Sequence, residues 1–197
     1  MKKVCLFVDG SNLYGGQYEL FGPKKYLDFS KLIKEAEEQT KAKFDQIYFY
    51  ASYSPRIRKP TKKQELYLKN EALFYKSVKQ TNNVIFFRGY RSKTSGKEKG
   101  VDVKLAADLV AFAFLNKYDT VYLFSGDADF LQALLVIKKF HSEKNIYLFC
   151  VENKLMYQGL FYFKTYVICF KDRLIVKRRL RNLNKLLINE KNVVEKI

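Results

Sequence analysis

Short apolar runs alternate along this chain with longer segments whose apolar residues recur every three or four positions. Residues 4–8, 47–51, 84–87, 120–124, 146–151 and 166–170 are apolar runs of strand length, the pattern of strands covered on both faces. Between them, residues 27–40 place Phe29, Leu32, Ile33 and Ala36 on one face behind Ser30 as a cap, which predicts an amphipathic helix. Thr61 stands three residues before Gln64, a capping-box start for a helix reaching Lys79. Residues 101–115 and 130–140 read as further helices and 155–163 as a helical patch, whereas 88–100 is basic, contains Gly and Ser and has no period, so a loop is expected there. Strands alternating with helices predict an α/β domain over residues 1–170, three layers deep (α-β-α) around a mainly parallel sheet. Residues 171–197 repeat Leu180, Leu183 and Leu187 among Arg178, Arg179 and Arg181, which predicts a basic C-terminal helical extension.

Charge adds a direction to this scaffold. The chain has a formal net charge of +17, and residues 54–104 hold 14 Lys/Arg against 4 Asp/Glu, residues 171–197 another 9 against 3. Clustered cations at this density point to a polyanionic partner, nucleic acid before a small acidic substrate. Arg88, Arg91, Lys93, Lys97 and Lys99 in the mid-chain loop and Arg178, Arg179 and Arg181 in the extension are the candidate phosphate contacts. Lysine-rich solvated surface is the competing reading.

Few other chemistries remain open. Cys5, Cys150 and Cys169 all lie in strand-like runs without Cys-x-x-Cys spacing, as expected for buried, reduced thiols in a cytoplasmic protein. The single histidine, His141, stands in a polar turn, so two-histidine acid–base catalysis and a multi-histidine zinc site are excluded. The apolar run after Met1-Lys2-Lys3 is too short for a secretory signal, and no apolar stretch reaches membrane-spanning length, so a soluble protein with no membrane partner is expected.

The chemistry-bearing residues are aspartates. Asp9 ends the first apolar run in Val8-Asp9-Gly10-Ser11-Asn12, Asp127 and Asp129 follow the fourth in Ser125-Gly126-Asp127-Ala128-Asp129-Phe130, and Asp102 opens a helix in Lys99-Gly100-Val101-Asp102-Val103. In open α/β sheets ligands gather outside the carboxyl ends of the strands, where strand order reverses. Leu105, Ala106 and Leu109 lie three, four and seven residues beyond Asp102, so Asp102 is expected on its helix's buried face. Asp129 also reads as a helix N-cap. Clustered carboxylates repel by roughly 1–4 kcal/mol per pair at about 4 Å, and hard divalent cations are one way to offset this. An all-oxygen set without paired His or Cys suits Mg²⁺ or Mn²⁺. Such a site could act on a phosphodiester.

These three motifs, in this order and spacing, resemble the NYN family of the PIN-like nuclease superfamily over about residues 3–170. The resemblance implies a central parallel sheet flanked by helices and metal-dependent RNA cleavage, with endonucleolytic cutting expected. It further implies Asp9, Asp102, Asp127 and Asp129 around the metal, with Asn12 orienting water or phosphate. Asp108 also matches, but six residues from Asp102 is about 240° around a helix, so a structural role is expected. The region 153–166 departs from the family pattern, with Lys164-Thr165 where an acid is usual. A catalytically silent RNA-binding module of the same fold is the alternative. A haloacid-dehalogenase-like phosphatase fits less well, because Ser11 stands where its second acid is needed. A homo-oligomer stays open.

Overall fold

All six apolar runs become strands of one sheet. The computed structural model describes residues 2–22, 26–55, 58–91, 98–155, 162–171 and 174–178. In chain order the elements are β1 (Val4–Asp9), α1 (Gly10–Phe21), α2 (Phe29–Thr40), β2 (Gln46–Ala51), α3 (Lys62–Gln80), β3 (Val84–Arg88), β4 (Tyr90–Arg91), β5 (Glu98–Lys99), α4 (Val101–Phe114), β6 (Thr120–Phe124), α5 (Leu131–Phe140), β7 (Asn145–Val151), β8 (Lys164–Lys171) and β9 (Leu174–Arg178). The main sheet has the order β3-β2-β1-β6-β7-β8-β9. Its strands are parallel except for the β8–β9 pair. The chain builds outward from β1 in one direction through β2 and β3, then restarts on the other side of β1 with β6. That reversal lies between β1 and β6.

Each face of the sheet carries its own core. Leu6 and Val8 pack with Leu13 and Tyr14 of α1, Phe29 and Leu32 of α2, and Phe74 and Val78 of α3. The alternate residues Cys5 and Phe7 pack with Leu105 and Leu109 of α4 and Leu134 and Ile137 of α5. The period-two alternation of a strand thus divides one apolar run between two helical layers. Cys5 and Cys150 are buried free thiols, and burial pushes the Cys5 thiol up to about 11. Cys169 lies on β8, and its side chain is outside the described residues. No helix among the described residues is long and apolar enough to cross a membrane.

Local signals set most helix ends. Thr61 and Gln64 form the expected capping box on α3. On α2 the cap is Asp28 rather than Ser30: Asp28 accepts from the Lys31 backbone, and the Ser30 hydroxyl donates to the same carboxylate.

Four expectations change. Helix α1 was not expected, since its buried residues include Gly10, Gly16 and Gln17, which leave no apolar stripe. The basic loop contains a small antiparallel pair, Tyr90 with Lys99 and Arg91 with Glu98. Of the helical patch expected over 155–163, Leu155, Tyr162 and Phe163 are non-helical and 156–161 lie outside the described residues, while a 3-10 turn not expected from the sequence forms just before it at Glu152–Lys154. Finally, Leu174–Arg178, expected within the helical extension, is a strand pairing with β8. Leu174, Ile175 and Val176 carry strand propensity, and Lys171 pairs directly with Leu174. The rest of the expected helix, 179–197, lies outside the described residues.

Candidate active site

The carboxyl ends of the two central strands bring the first two residues together. Val8 of β1 is in register with Phe124 of β6, so their successors, Asp9 and Ser125, stand side by side. The Ser125 hydroxyl donates to Asp9 Oδ2 at 2.9 Å. Asp9 Oδ1 accepts from the Asn12 backbone at 3.0 Å, making Asp9 the N-cap of α1. The Asn12 side chain returns across the gap, its Oδ1 accepting from the Gly126 backbone at 3.2 Å. Asp127 closes the stitch: its backbone N–H donates to Ser125 Oγ at 3.1 Å, and its own Oδ1 accepts from the Asp129 backbone at 3.0 Å. Ser125 was missing from the sequence-derived site. Its place directly after a strand paired with that of Asp9 is the signal that could have found it.

Asp9 is only 3% exposed. Its pKa is pushed up to about 6, first by burial, against the two hydrogen bonds it accepts, and further by the charges of Asp102 and Asp127. Asp102 and Asp127 are therefore both within electrostatic reach of Asp9 at the strand-order reversal. Asp129 is exposed on the 3-10 turn Ala128–Phe130, and the cap of that turn is Asp127, not Asp129. Among the described residues, no three His, Cys, Asp or Glu side chains are gathered tightly enough to enclose a metal directly.

Asp102 is exposed on the first turn of α4, not on its buried face. The buried stripe is Val101, Leu105, Asp108 and Leu109, one position away from the stripe counted from Asp102. A first-turn residue also lacks a preceding helical turn to cover it. Of the candidate phosphate contacts, Arg88 and Lys99 are exposed, and the Arg88 guanidinium sits 5.1 Å from the Tyr53 ring centroid. Arg91 and Arg178 lie on β4 and β9, with side chains outside the described residues, as are Lys93, Lys97, Arg179 and Arg181 altogether.

The sequence profile of the NYN domain matches residues 3–168. The chain belongs to the NYN family. No curated protein matches it in sequence. A crystal structure of a protein of unknown function from Vibrio parahaemolyticus is similar in fold, with a TM-score of 0.61 at 19% identity, covering 89% of this chain and 96% of the other. A zinc-bound structure of T5 5'-exonuclease aligns with a TM-score of 0.46 at 15% identity, over 93% of this chain and 60% of that one.

One further acid shapes the NYN site from below. Asp108 is buried, accepts from the Tyr50 hydroxyl at 2.8 Å through Oδ2, and ion-pairs with Lys104 through Oδ1. The structural role expected for Asp108 thus takes a definite form: it ties α4, the helix carrying Asp102, to β2. Asp108→Ala should leave the buried Tyr50 hydroxyl without its acceptor, costing roughly 1–3 kcal/mol. Asp108→Asn, which keeps a carbonyl oxygen, should cost less. Urea midpoints of the two variants test this.

Proposed function

We propose that this chain is a divalent-metal-dependent ribonuclease, acting as an endonuclease, with Asp9, Asp102, Asp127 and Asp129 holding Mg²⁺ or Mn²⁺. The observation that carries the reading is the state of Asp9, a buried carboxylate whose pKa is raised by burial and by two further carboxylates. A cation bound there would relieve that repulsion and desolvation together. The donor set is all oxygen, which fits Mg²⁺ or Mn²⁺. The absence of a tight three-carboxylate cage among the described residues suits an ion that keeps several of its waters and reaches some ligands through them.

Such an ion supplies Lewis acidity, lowering the pKa of water and neutralising charge that develops on a phosphodiester. The remaining work falls to the chain. Ser125 and the Asn12 backbone hold Asp9 on both oxygens, fixing the direction in which its carboxylate can bind. Asn12, its Oδ1 taken by Gly126, keeps its amide NH₂ as a donor for a phosphate oxygen. Arg88, Arg91, Lys93, Lys97 and Lys99 steer the polyanion by charge.

Labelled RNA and DNA oligonucleotides, incubated with Mg²⁺, Mn²⁺ or EDTA, test the reading. Internal cleavage of RNA that stops in EDTA is expected, and binding without cleavage under every condition would favour the silent RNA-binding module. Neutralising the five loop cations should also flatten the salt dependence of binding, each lost single-strand phosphate contact removing roughly 0.7 from the log–log slope. An unchanged slope would return them to ordinary solvated surface.

A further inference from the structure

A second concave region lies beside the acidic edge. A cleft of about 750 Å³ opens between α3 and the carboxyl ends of β2 and β3, lined by Ser52, Tyr53, Lys79, Arg88 and Tyr90 among others. Tyr53 gathers two cations there: the Arg88 guanidinium lies 5.1 Å and the Lys79 ammonium 5.4 Å from its ring centroid. Lys79 also donates to the Tyr53 hydroxyl at 3.1 Å. The carboxylate in the lining, Glu71, is buried and occupied, accepting from the Ser54 backbone at 2.9 Å and from its hydroxyl at 2.7 Å. The exposed charge presented to the cleft is therefore positive.

Two features mark this cleft as more than a charged surface. Ser52 is only 3% exposed, and its hydroxyl has no hydrogen-bond partner among the described residues. A buried polar group without a partner is costly, and Ser52 belongs to the lining of the cleft. Tyr90 is the opposite case, a large ring 67% exposed at the rim. It lies over Gly100, where an added Cβ would come within 3.3 Å of the ring. Gly100 is the N-cap of α4, two residues before Asp102. The rim of the cleft therefore leads to the helix end that carries one of the site's acids. Gly89, the neighbour of Tyr90, abuts the same helix end, packing against Val101 so closely that a Cβ would overlap the valine side chain.

We propose that this cleft holds one unpaired nucleotide of the strand being cut, with its base stacked on Tyr90, its phosphate on Arg88 and Lys79, and the Ser52 hydroxyl hydrogen-bonded to it. A base inside a duplex cannot present its face to an aromatic ring, whereas an unpaired base can. The substrate is then single-stranded on at least one side of the scissile bond. This rests on the nuclease reading above for its orientation, but not for its existence as a binding site.

The test separates the two. Binding of the full chain is measured in EDTA, where no metal-dependent cleavage interferes, with an unstructured fluorescein-labelled RNA 12-mer, its DNA counterpart and an RNA duplex. Tyr90→Ala should weaken RNA single-strand binding roughly five- to hundredfold, the range for one lost base–aromatic stack, and leave duplex binding unchanged. Tyr90→Phe should restore it, since the ring and not the hydroxyl does the stacking. The DNA strand should show the same dependence if stacking alone holds the base. Unchanged single-strand binding by Tyr90→Ala, or an equal loss on the duplex, overturns the proposal. If wild type cleaves nothing with Mg²⁺ or Mn²⁺ but binds single strands through Tyr90, the nuclease reading fails and the subsite stands. If cleavage occurs and Tyr90→Ala binds like wild type, the subsite fails alone.

Discussion

Asp9→Asn should abolish RNA cleavage and make the metal-free protein more stable. Losing a metal-binding carboxylate removes several kcal/mol of transition-state stabilisation, about 10³-fold or more in rate. Stability should move the other way because Asp9 is strained by its own charge. Its folded pKa of about 6 lies above the ordinary value of 3.8, so folding favours the protonated carboxyl. That contribution is present in full below about pH 4, is lost as pH rises towards 6, and leaves the ionised form destabilising at neutral pH. Asparagine still caps a helix and carries no charge. In EDTA at pH 7.5 the variant should gain on the order of 1–3 kcal/mol, a rise of roughly 3–10 °C in Tm for a chain of this size. At pH 4 the two proteins should melt together. Added Mg²⁺ or Mn²⁺ should then raise the Tm of wild type and not of Asp9→Asn, because a ligand stabilises only the state that binds it. A variant cleaving at the wild-type rate under saturating Mg²⁺ would remove Asp9 from the chemistry. One that loses both stability and activity would mean that the hydrogen bonds Asp9 accepts outweigh the strain of its charge, which would overturn the inference from its raised pKa.

The parallel sheet was legible because its central strands are buried on both faces and therefore read as unbroken apolar runs. The place of Asp9 and Asp127 at its carboxyl edge was legible for the same reason: Asp9 follows the first run directly, and only Ser125 and Gly126 separate Asp127 from the end of the fourth. What the pattern hid was everything that depends on close approach of backbone. Helix α1 packs through Gly16, whose absent side chain makes room for Val151, and through Gln17, whose carbonyl oxygen accepts from the Leu27 backbone at 2.6 Å. Neither residue registers as apolar. Asp102 was misplaced by one position because Asp108, a charged residue, occupies the buried stripe, and its partners Tyr50 and Lys104 come from a distant strand and the preceding turn. Buried acids break the hydrophobic count wherever a tertiary partner satisfies them. The Tyr90 rim was hidden for a further reason, since two-residue strands are too short to leave a period.

The second large effect is expected at Gly126. A Cβ there would overlap the carbonyl oxygen of Lys154, a backbone atom that cannot rotate away as a side chain can. The 3-10 turn bearing Lys154 has little freedom to retreat. Asn153 Nδ2 donates to the Gly16 carbonyl at 3.2 Å and to Glu19 at 2.9 Å, and Lys154 pairs with Glu19 at 2.6 Å. The chain must either break that clamp on α1 or push Gly126 off the Asn12 side chain, and Asp127 moves with it. Gly126→Ala should therefore cost roughly 2–4 kcal/mol, lowering Tm by about 5–15 °C. Cleavage by the fraction that stays folded should also fall, because the loop that moves carries two of the four acids. Gly15→Ala is the control. It lies in α1, the helix on which the 152–154 turn is clamped, a Cβ there meets nothing within 4 Å, and the helix gains about 0.5–1 kcal/mol from replacing a glycine. That variant should melt slightly above wild type and cleave normally. If Gly126→Ala instead behaves like Gly15→Ala, the turn at 152–154 yields freely, and the acidic edge is held by the Asp9–Ser125 stitch alone.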